Sequence, residues 1–201
     1  NWGYQMLSGC QYMTKDDLDK MNELAKETEE YPPGSDGVMF LPFLTGSGSP
    51  YFYPSDRAAF LGMSTNVNQQ VLFKSVMEGI SFHIRESVDV FREMGEQIKT
   101  VYLSGGGTRI RAWIQILTEI LGMEVHILEE SDASTLGAAL IAAAEGKKEK
   151  ELYELAAGAV GIAETVKPKP EHTAKYEQIY SVYKEYCKAV HGMYGIMEQT
   201  D

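Results

Sequence analysis

A chain of 201 residues with 18 basic and 29 acidic side chains carries a net charge of −11. That balance opposes any general attraction to nucleic acid or anionic lipid, which reward clustered Lys and Arg. The 44% hydrophobic and 23% charged content is ordinary for a soluble globular protein able to bury one large core, and no apolar run approaches the roughly 20 residues of a membrane span. Cys10 and Cys187 lie far apart with no Cys-x-x-Cys spacing, which argues against a disulfide framework and against a zinc site. The opening NWGYQMLSGCQYM has no basic region followed by an apolar core, so neither a signal nor a transit peptide is expected and the cytoplasm is the default compartment. Starting on Asn1 inside what reads as a structured segment, the chain looks like a piece of something longer.

TKDDLDKMNELAKETEE, residues 14–30, begins with Thr14 and a run of acids, which suits an N-cap and the positive end of a helix dipole. Leu18, Met21, Leu24 and Ala25 recur at helical spacing until Pro32-Pro33-Gly34 stops the helix. Its acids, Asp16, Asp17 and Asp19 with Glu27, Glu29 and Glu30, read as a solvated face. GVMFLPFL, 37–44, predicts a strand that Pro42 interrupts or confines to an edge. AAFLGMS, 58–64, predicts a second strand, and the Gly/Ser/Pro/Tyr segment 45–56 between them a loop.

From Asn68 to about Met94, Leu72, Val76, Ile80, Ile84 and Val88 repeat every four residues, the pattern of a long and mostly buried helix. KTVYLSG, 99–105, predicts a strand. Ile110, Trp113, Ile114, Leu117, Ile120 and Leu121 trace one face of a helix ending at Gly122, and MEVHILE, 123–129, predicts the next strand. A helix of small residues, STLGAALIAAAEG, follows at 134–146. This order calls for adjacent parallel strands joined by a crossover helix, an α/β architecture. After a weak helix near 149–157 and a loop with Pro168 and Pro170, Tyr176, Ile179, Tyr180, Tyr183, Cys187, Val190 and Tyr194 share one helical stripe. They predict a docking helix whose tyrosine rings pack on the body while the hydroxyls stay wet.

The stretch LSGGGTRIRAWIQ, 103–115, joins strand to helix through Gly105-Gly106-Gly107. A strand that ends there and runs straight into a helix leaves unpaired N–H groups at the helix N-terminus, with no Cβ atoms to hold a ligand off. Phosphate, or the sugar and phosphate of a nucleotide, is the natural occupant. A tight turn built on structural glycines is the other reading. Neither a Walker A loop nor a Rossmann Gly-x-Gly-x-x-Gly occurs. In DASTLGAAL, 132–140, Asp132 and Ser134 are candidate caps, and Gly137, Ala138 and Ala139 would allow either close helix packing or close approach of a ligand. The two Gly/Ala-rich helix starts would then face one cleft.

The order FLPFLTGSGSPY, RAAFLGMS, VMEGISF, LSGGGTRIRAWIQILTEILGMEV, STLGAALIAAA resembles the C-terminal domain of the FGGY carbohydrate kinases, the group holding xylulokinase, gluconokinase and glycerol kinase. The resemblance covers roughly residues 3–146. It implies a ribonuclease-H-like fold of the actin and hexokinase superfamily, in which two domains close over a cleft and ATP, with Mg²⁺, sits mainly on the C-terminal domain. Residues 1–166 would form the nucleotide-binding domain and 167–201 its C-terminal docking helix. Gly105, Gly106 and Gly107 would line the ATP site, with Thr108 and Arg111 near the nucleoside. LSGCQYM, 7–13, resembles the family's small-residue turn, where Gly9 would approach the phosphates and Tyr12 replaces the usual Trp.

Departures qualify the resemblance. Thr45-Gly46-Ser47-Gly48-Ser49-Pro50 lacks the Glu and Arg usual in the family's loop, which leaves the substrate subgroup open and favours a xylulokinase-like branch only weakly; Arg57 is present, but Ala58 replaces the usual glycine. The family's general base, an Asp in a Gly-Asp motif, lies ahead of the matched region, so no catalytic residue is expected here and the sugar would be bound by the other domain. His83, His126, His172 and His191 show no metal-ligand or triad spacing. With its first antiparallel strands upstream, the sheet would be incomplete, and a homodimer or a companion fragment would cover its edge. A non-catalytic actin-like nucleotide sensor and a plain interaction module are the readings from other classes.

Overall fold

The computed structural model describes residues 2–146 and 149–197; Asn1, Lys147, Lys148 and 198–201, the end of the expected docking segment, lie outside the described residues. Trp2–Ser8 forms a short helix, α1, whose seven residues are too few for periodicity to reveal. Its inner face meets α3 (Gln69–Glu93): a Cβ on Gly3 would stand 3.0 Å from Val76. Between them in sequence, α2 (Lys15–Glu27) starts on a reciprocal cap, the Asp17 N–H donating to Thr14 Oγ1 at 3.2 Å and the Thr14 N–H to Asp17 Oδ2 at 3.0 Å. The expected helix over 14–30 tightens at its end into a 3₁₀ turn, Thr28–Glu30.

Both strands of the first pair are shorter than predicted. β1 (Met39–Leu41) and β2 (Ala59–Leu61) pair antiparallel, and β1 stops where Pro42 offers no N–H to the ladder. α3 is capped by Asn68, whose Oδ1 accepts the Val71 N–H at 2.9 Å. It crosses β1 so closely that a Cβ on Gly79 would lie 2.1 Å from the Phe40 carbonyl oxygen, which explains a glycine in mid-helix.

Next come β3 (Thr100–Leu103), α4 (Arg111–Leu121) and β4 (Glu124–Leu128), with β3 and β4 parallel as the strand–helix–strand order requires. α4 is buried on two faces. Ile114, Leu117 and Leu121 pack on Val125 and Ile127, while Ala112, Ile116 and Ile120 join the core of α1, α2, β1 and α3. At roughly 1.5–3 kcal/mol for each fully buried aliphatic side chain, this crossover helix is the main tie between the two cores.

α5 (Ala133–Ala143) and α6 (Glu149–Ala159) lead to a third strand, β5 (Ile162–Val166), antiparallel to β4. The sequence does not predict it, because IAETV is short and mostly exposed. The sheet order β3-β4-β5 leaves the outer edge of β3 unpaired among the described residues. On the face away from α4, Tyr102 is 58% exposed and His126 Nδ1 lies 2.7 Å from Thr165 Oγ1. No residue of α5 is buried, despite its apolar composition.

α7 (Pro170–Met197) docks the tyrosine stripe against Phe82 of α3. One expectation is corrected here: the Tyr176 hydroxyl is not wet. It donates to Glu78 Oε1 at 2.8 Å, and Glu78 also accepts from the Gly34 N–H at 2.9 Å and the Ser35 hydroxyl at 2.7 Å. A buried carboxylate needs such donors, and burial still pushes the Glu78 pKa up. Among the described residues, no helix is long and apolar enough to cross a membrane.

Candidate functional site

The glycine triplet does not run straight into α4. Gly105 bends the chain at φ 91°, a 3₁₀ turn occupies Gly106–Arg109, and Ile110 at φ −96°, ψ 88° separates that turn from α4. The Thr108 N–H and hydroxyl both donate to the Gly105 carbonyl, at 3.2 and 2.7 Å, and the Ile110 N–H donates to the Gly107 carbonyl at 3.2 Å. The first N–H groups of the turn, on Gly106 and Gly107, have no acceptor within it.

Two helical N-termini therefore follow one another, and neither has a side-chain cap. α2, α3 and α5 are each capped, by Thr14, Asn68 and Asp132. At α5 the Asp132 carboxylate accepts the Thr135 N–H at 3.0 Å, and the Thr135 hydroxyl and amide hold that carboxyl below the usual range. The start of α5 thus supplies its own anion. The glycine turn leaves its donors to something else.

The space around the turn matches that chemistry. A Cβ at Gly105 or Gly106 would meet nothing within 4 Å, whereas one at Gly107 would lie 2.6 Å from Trp113 Cζ3. The outer side of the turn is open, and the inner side rests on an indole. Trp113 is in turn fixed by its Nε1–H, which donates to Ser81 Oγ of α3 at 3.0 Å. The same ring walls an apolar cavity of about 190 Å³ shared with Trp2 and Gly3 of α1, Phe40 of β1 and Ile110. Gly9 ends α1 at φ 73°, its N–H donating to the Gln5 carbonyl at 2.9 Å.

Arg111 goes elsewhere. Its guanidinium pairs with Glu164 of β5 at 2.5 Å and lines a separate cavity of about 430 Å³ that contains none of these glycines. There Lys74, only 5% exposed, donates to the carbonyls of Thr28 at 3.2 Å and Tyr31 at 2.7 Å, and burial pulls its pKa down. Each histidine has a local partner: His83 with Glu86 at 2.9 Å, His172 with Glu119 at 2.9 Å, His191 with Asp56 at 2.8 Å, and His126 with Thr165. Among the described residues, no group of three His, Cys, Asp or Glu is arranged to hold a metal ion.

Sequence reasoning names the triplet, Thr108 and Arg111 as candidates but does not foresee the break at Ile110, the seat of Gly107 on Trp113 or the salt bridge of Arg111. The six-residue interval from Gly107 to Trp113 is the only signal for the seat, and it is weak by itself.

These features sit in a fold with known relatives. Residues 2–145 match the model of the C-terminal domain of the FGGY family of carbohydrate kinases, and the chain belongs to that family. Xylulose kinase from Bacillus subtilis is 31% identical over 166 residues, 83% of this chain and 33% of that protein. Xylulose kinase from Lactococcus lactis is 31% identical over 83% of this chain and 34% of its own length. The crystal structure of xylulose kinase from Rhodospirillum rubrum superposes with a TM-score of 0.81 at 25% identity, covering 97% of this chain and 38% of that one. Gluconate kinase from Lactobacillus acidophilus, 23% identical, shares the fold with a TM-score of 0.82 over 98% of this chain and 38% of its own. The fold is therefore that of the actin- and hexokinase-like sugar kinases. This chain spans about a third of the length of the curated relatives it matches.

Proposed function

We propose that this chain is the nucleotide-binding part of a xylulose-kinase-like enzyme, which transfers the γ-phosphoryl group of MgATP to a hydroxyl of a sugar held by a further domain. Residues 1–166 form the nucleotide-binding unit, and the segment 167–201 carries α7 (Pro170–Met197), the helix docked on it. The observation that carries this reading is the uncapped turn that starts at Gly106, open on the side of Gly105 and Gly106. Main-chain donors suit the phosphates or ribose of a nucleotide. Thr108, whose hydroxyl braces the turn at 2.7 Å, sets its shape, and Gly9 borders the phosphates. Arg111 reaches the nucleoside only by leaving Glu164.

Xylulose is the favoured acceptor because the relatives named above at 31% identity are xylulose kinases; a gluconokinase from Bacillus licheniformis, 24% identical over 88% of this chain, supports gluconate as the second reading. Bound Mg²⁺ neutralises phosphate charge in such a transfer. It is assigned no ligand in this chain; an ion carried on phosphate oxygens and water needs few protein carboxylates. The base that takes the hydroxyl proton belongs to the upstream part of the enzyme, which works in the cytoplasm, where ATP is held. The bare edge of β3 receives either that upstream part or a second copy of the chain.

Calorimetry with MgATP and a coupled assay for ADP release test this. The chain alone should bind nucleotide weakly and phosphorylate no sugar, and co-expression with the N-terminal portion of a xylulose kinase should restore turnover of xylulose. Sugar turnover by the chain alone, or MgATP binding in neither form, would overturn the reading.

A further inference from the structure

Ser81 is fully buried in the stretch of α3 that packs on β1 and α4. Its hydroxyl donates to the Met77 carbonyl one turn back at 2.8 Å, so its proton is used within the helix. The oxygen keeps a lone pair, and the Trp113 Nε1–H donates to it at 3.0 Å. The helix itself does not need this hydroxyl, since alanine is the better helix former and carries no polar atom to bury. What the oxygen does, it does for the indole.

That indole is a rigid plate held near opposite corners. Nε1, in the five-membered ring, is tied to α3, while Cζ3, on the far edge of the six-membered ring, is the atom that a Cβ on Gly107 would meet at 2.6 Å. A tilt at one corner is delivered at the other. Packing alone does not fix the plate, because Trp113 walls the apolar cavity of about 190 Å³ that Phe40, Met77 and Ile80 also line. A cavity of about 150 Å³ is enough to admit benzene, so the ring has room to swing. The bond to Ser81 selects one orientation from those the cavity allows.

Both ends of this link matter. Two residues before Ser81, Gly79 lies so close to the Phe40 carbonyl that no side chain fits, which sets α3 firmly on β1. At the other end, the break at Ile110, φ −96° and ψ 88°, detaches the glycine turn from the hydrogen-bond ladder of α4. The turn therefore takes its attitude from what lies beneath it, and beneath Gly107 lies the indole.

From this geometry we infer that Ser81 is a positioning residue for the nucleotide site: through Trp113 it sets the direction in which the Gly106 and Gly107 N–H groups point. The inference rests on the reading that this turn takes the nucleotide, and it adds a residue of α3 that touches no ligand. Aim matters for such donors, because a hydrogen bond weakens steeply as its angle closes, and a site held loosely by its supporting residues binds poorly.

The test compares the original chain with Ser81→Ala, Trp113→Phe, the double variant and Ile127→Val, a core change in β4 away from the ring. In ¹⁵N spectra without ligand, Ser81→Ala should move the Gly106, Gly107 and Thr108 amides, and Ile127→Val should not. MgATP affinity should fall by about fivefold or more in Ser81→Ala and keep its original value in Ile127→Val, although both changes lower the melting temperature. In the Trp113→Phe background, Ser81→Ala should cost no further affinity, because the hydroxyl acts through the indole N–H alone. Turn amides that stay in place, an undiminished affinity in Ser81→Ala, or an equal loss with and without Trp113→Phe would overturn the assignment while leaving the nucleotide reading intact. An original chain that binds no MgATP would overturn that reading and the assignment with it, whatever the ligand-free spectra show.

Discussion

Gly107 rests on the indole of Trp113 so closely that a methyl group there would stand 2.6 Å from Cζ3. The ring cannot retreat freely, because its Nε1–H is bonded to Ser81 and its other contacts lie in the main core. Gly107→Ala should therefore lift the whole turn. Overpacking of this kind costs about 1–3 kcal/mol. Urea unfolding should show that loss, tryptophan fluorescence should change, and MgATP affinity should fall by about tenfold or more. Unchanged stability and affinity would mean that the ring does not seat the turn.

Gly106 makes the complementary prediction. Space at its Cβ position is open, so Gly106→Val should leave stability within about 0.5 kcal/mol of the original, as ordinary surface changes do. The branched side chain would nevertheless stand where the proposed ligand approaches the amides. Nucleotide affinity should drop while the melting temperature hardly moves, whereas at Gly107 both should fall.

Much of this frame is legible in the sequence, and the limits have physical causes. α3 and α4 are long and carry unbroken apolar stripes, and β3 and β4 hold bulky residues between clear breakers, so their order and parallel pairing follow directly. α1 and β5 are too short, and β5 too exposed, for either period to register. The glycine triplet signals a place without its geometry: whether Ile110 continues the turn or breaks it depends on packing around Trp113, which comes from α1, β1 and α3. The salt bridge of Arg111 goes unforeseen for a related reason. Its direction is set by Glu164 on β5, a strand the sequence does not announce.

Glu78 offers a test of the polar core. Its carboxylate accepts from Gly34, Ser35 and Tyr176, and a carboxamide cannot accept all three. Glu78→Gln should destabilise the protein by about 1–3 kcal/mol. The pH dependence has a definite sign. Burial raises the folded pKa of Glu78 above its ordinary 4.5, so the native protein loses stability as pH climbs from 4.5 through that raised value. The variant lacks this loss, so the gap between the two should be widest in acid and narrow toward neutral pH. A gap that widens with pH would show that the fold favours the ionised carboxylate.

The open edge of β3 and the exposed Tyr102 beside it should make the isolated chain self-associate. Sedimentation velocity over a hundredfold concentration range should reveal this, and Tyr102→Lys, on an exposed position, should weaken it without unfolding the protein. A chain that stays monomeric throughout would show that the bare edge needs no cover.

The central claim is that main-chain donors at the glycine turn take the nucleotide. Titration of MgATP into ¹⁵N-labelled protein, read amide by amide, tests it most directly. The largest shifts should fall on Gly105, Gly106, Gly107 and Thr108 and vanish in Gly106→Val. Shifts centred instead on the Lys74 cavity or on Lys184 and His191, with the glycine amides silent, would contradict it.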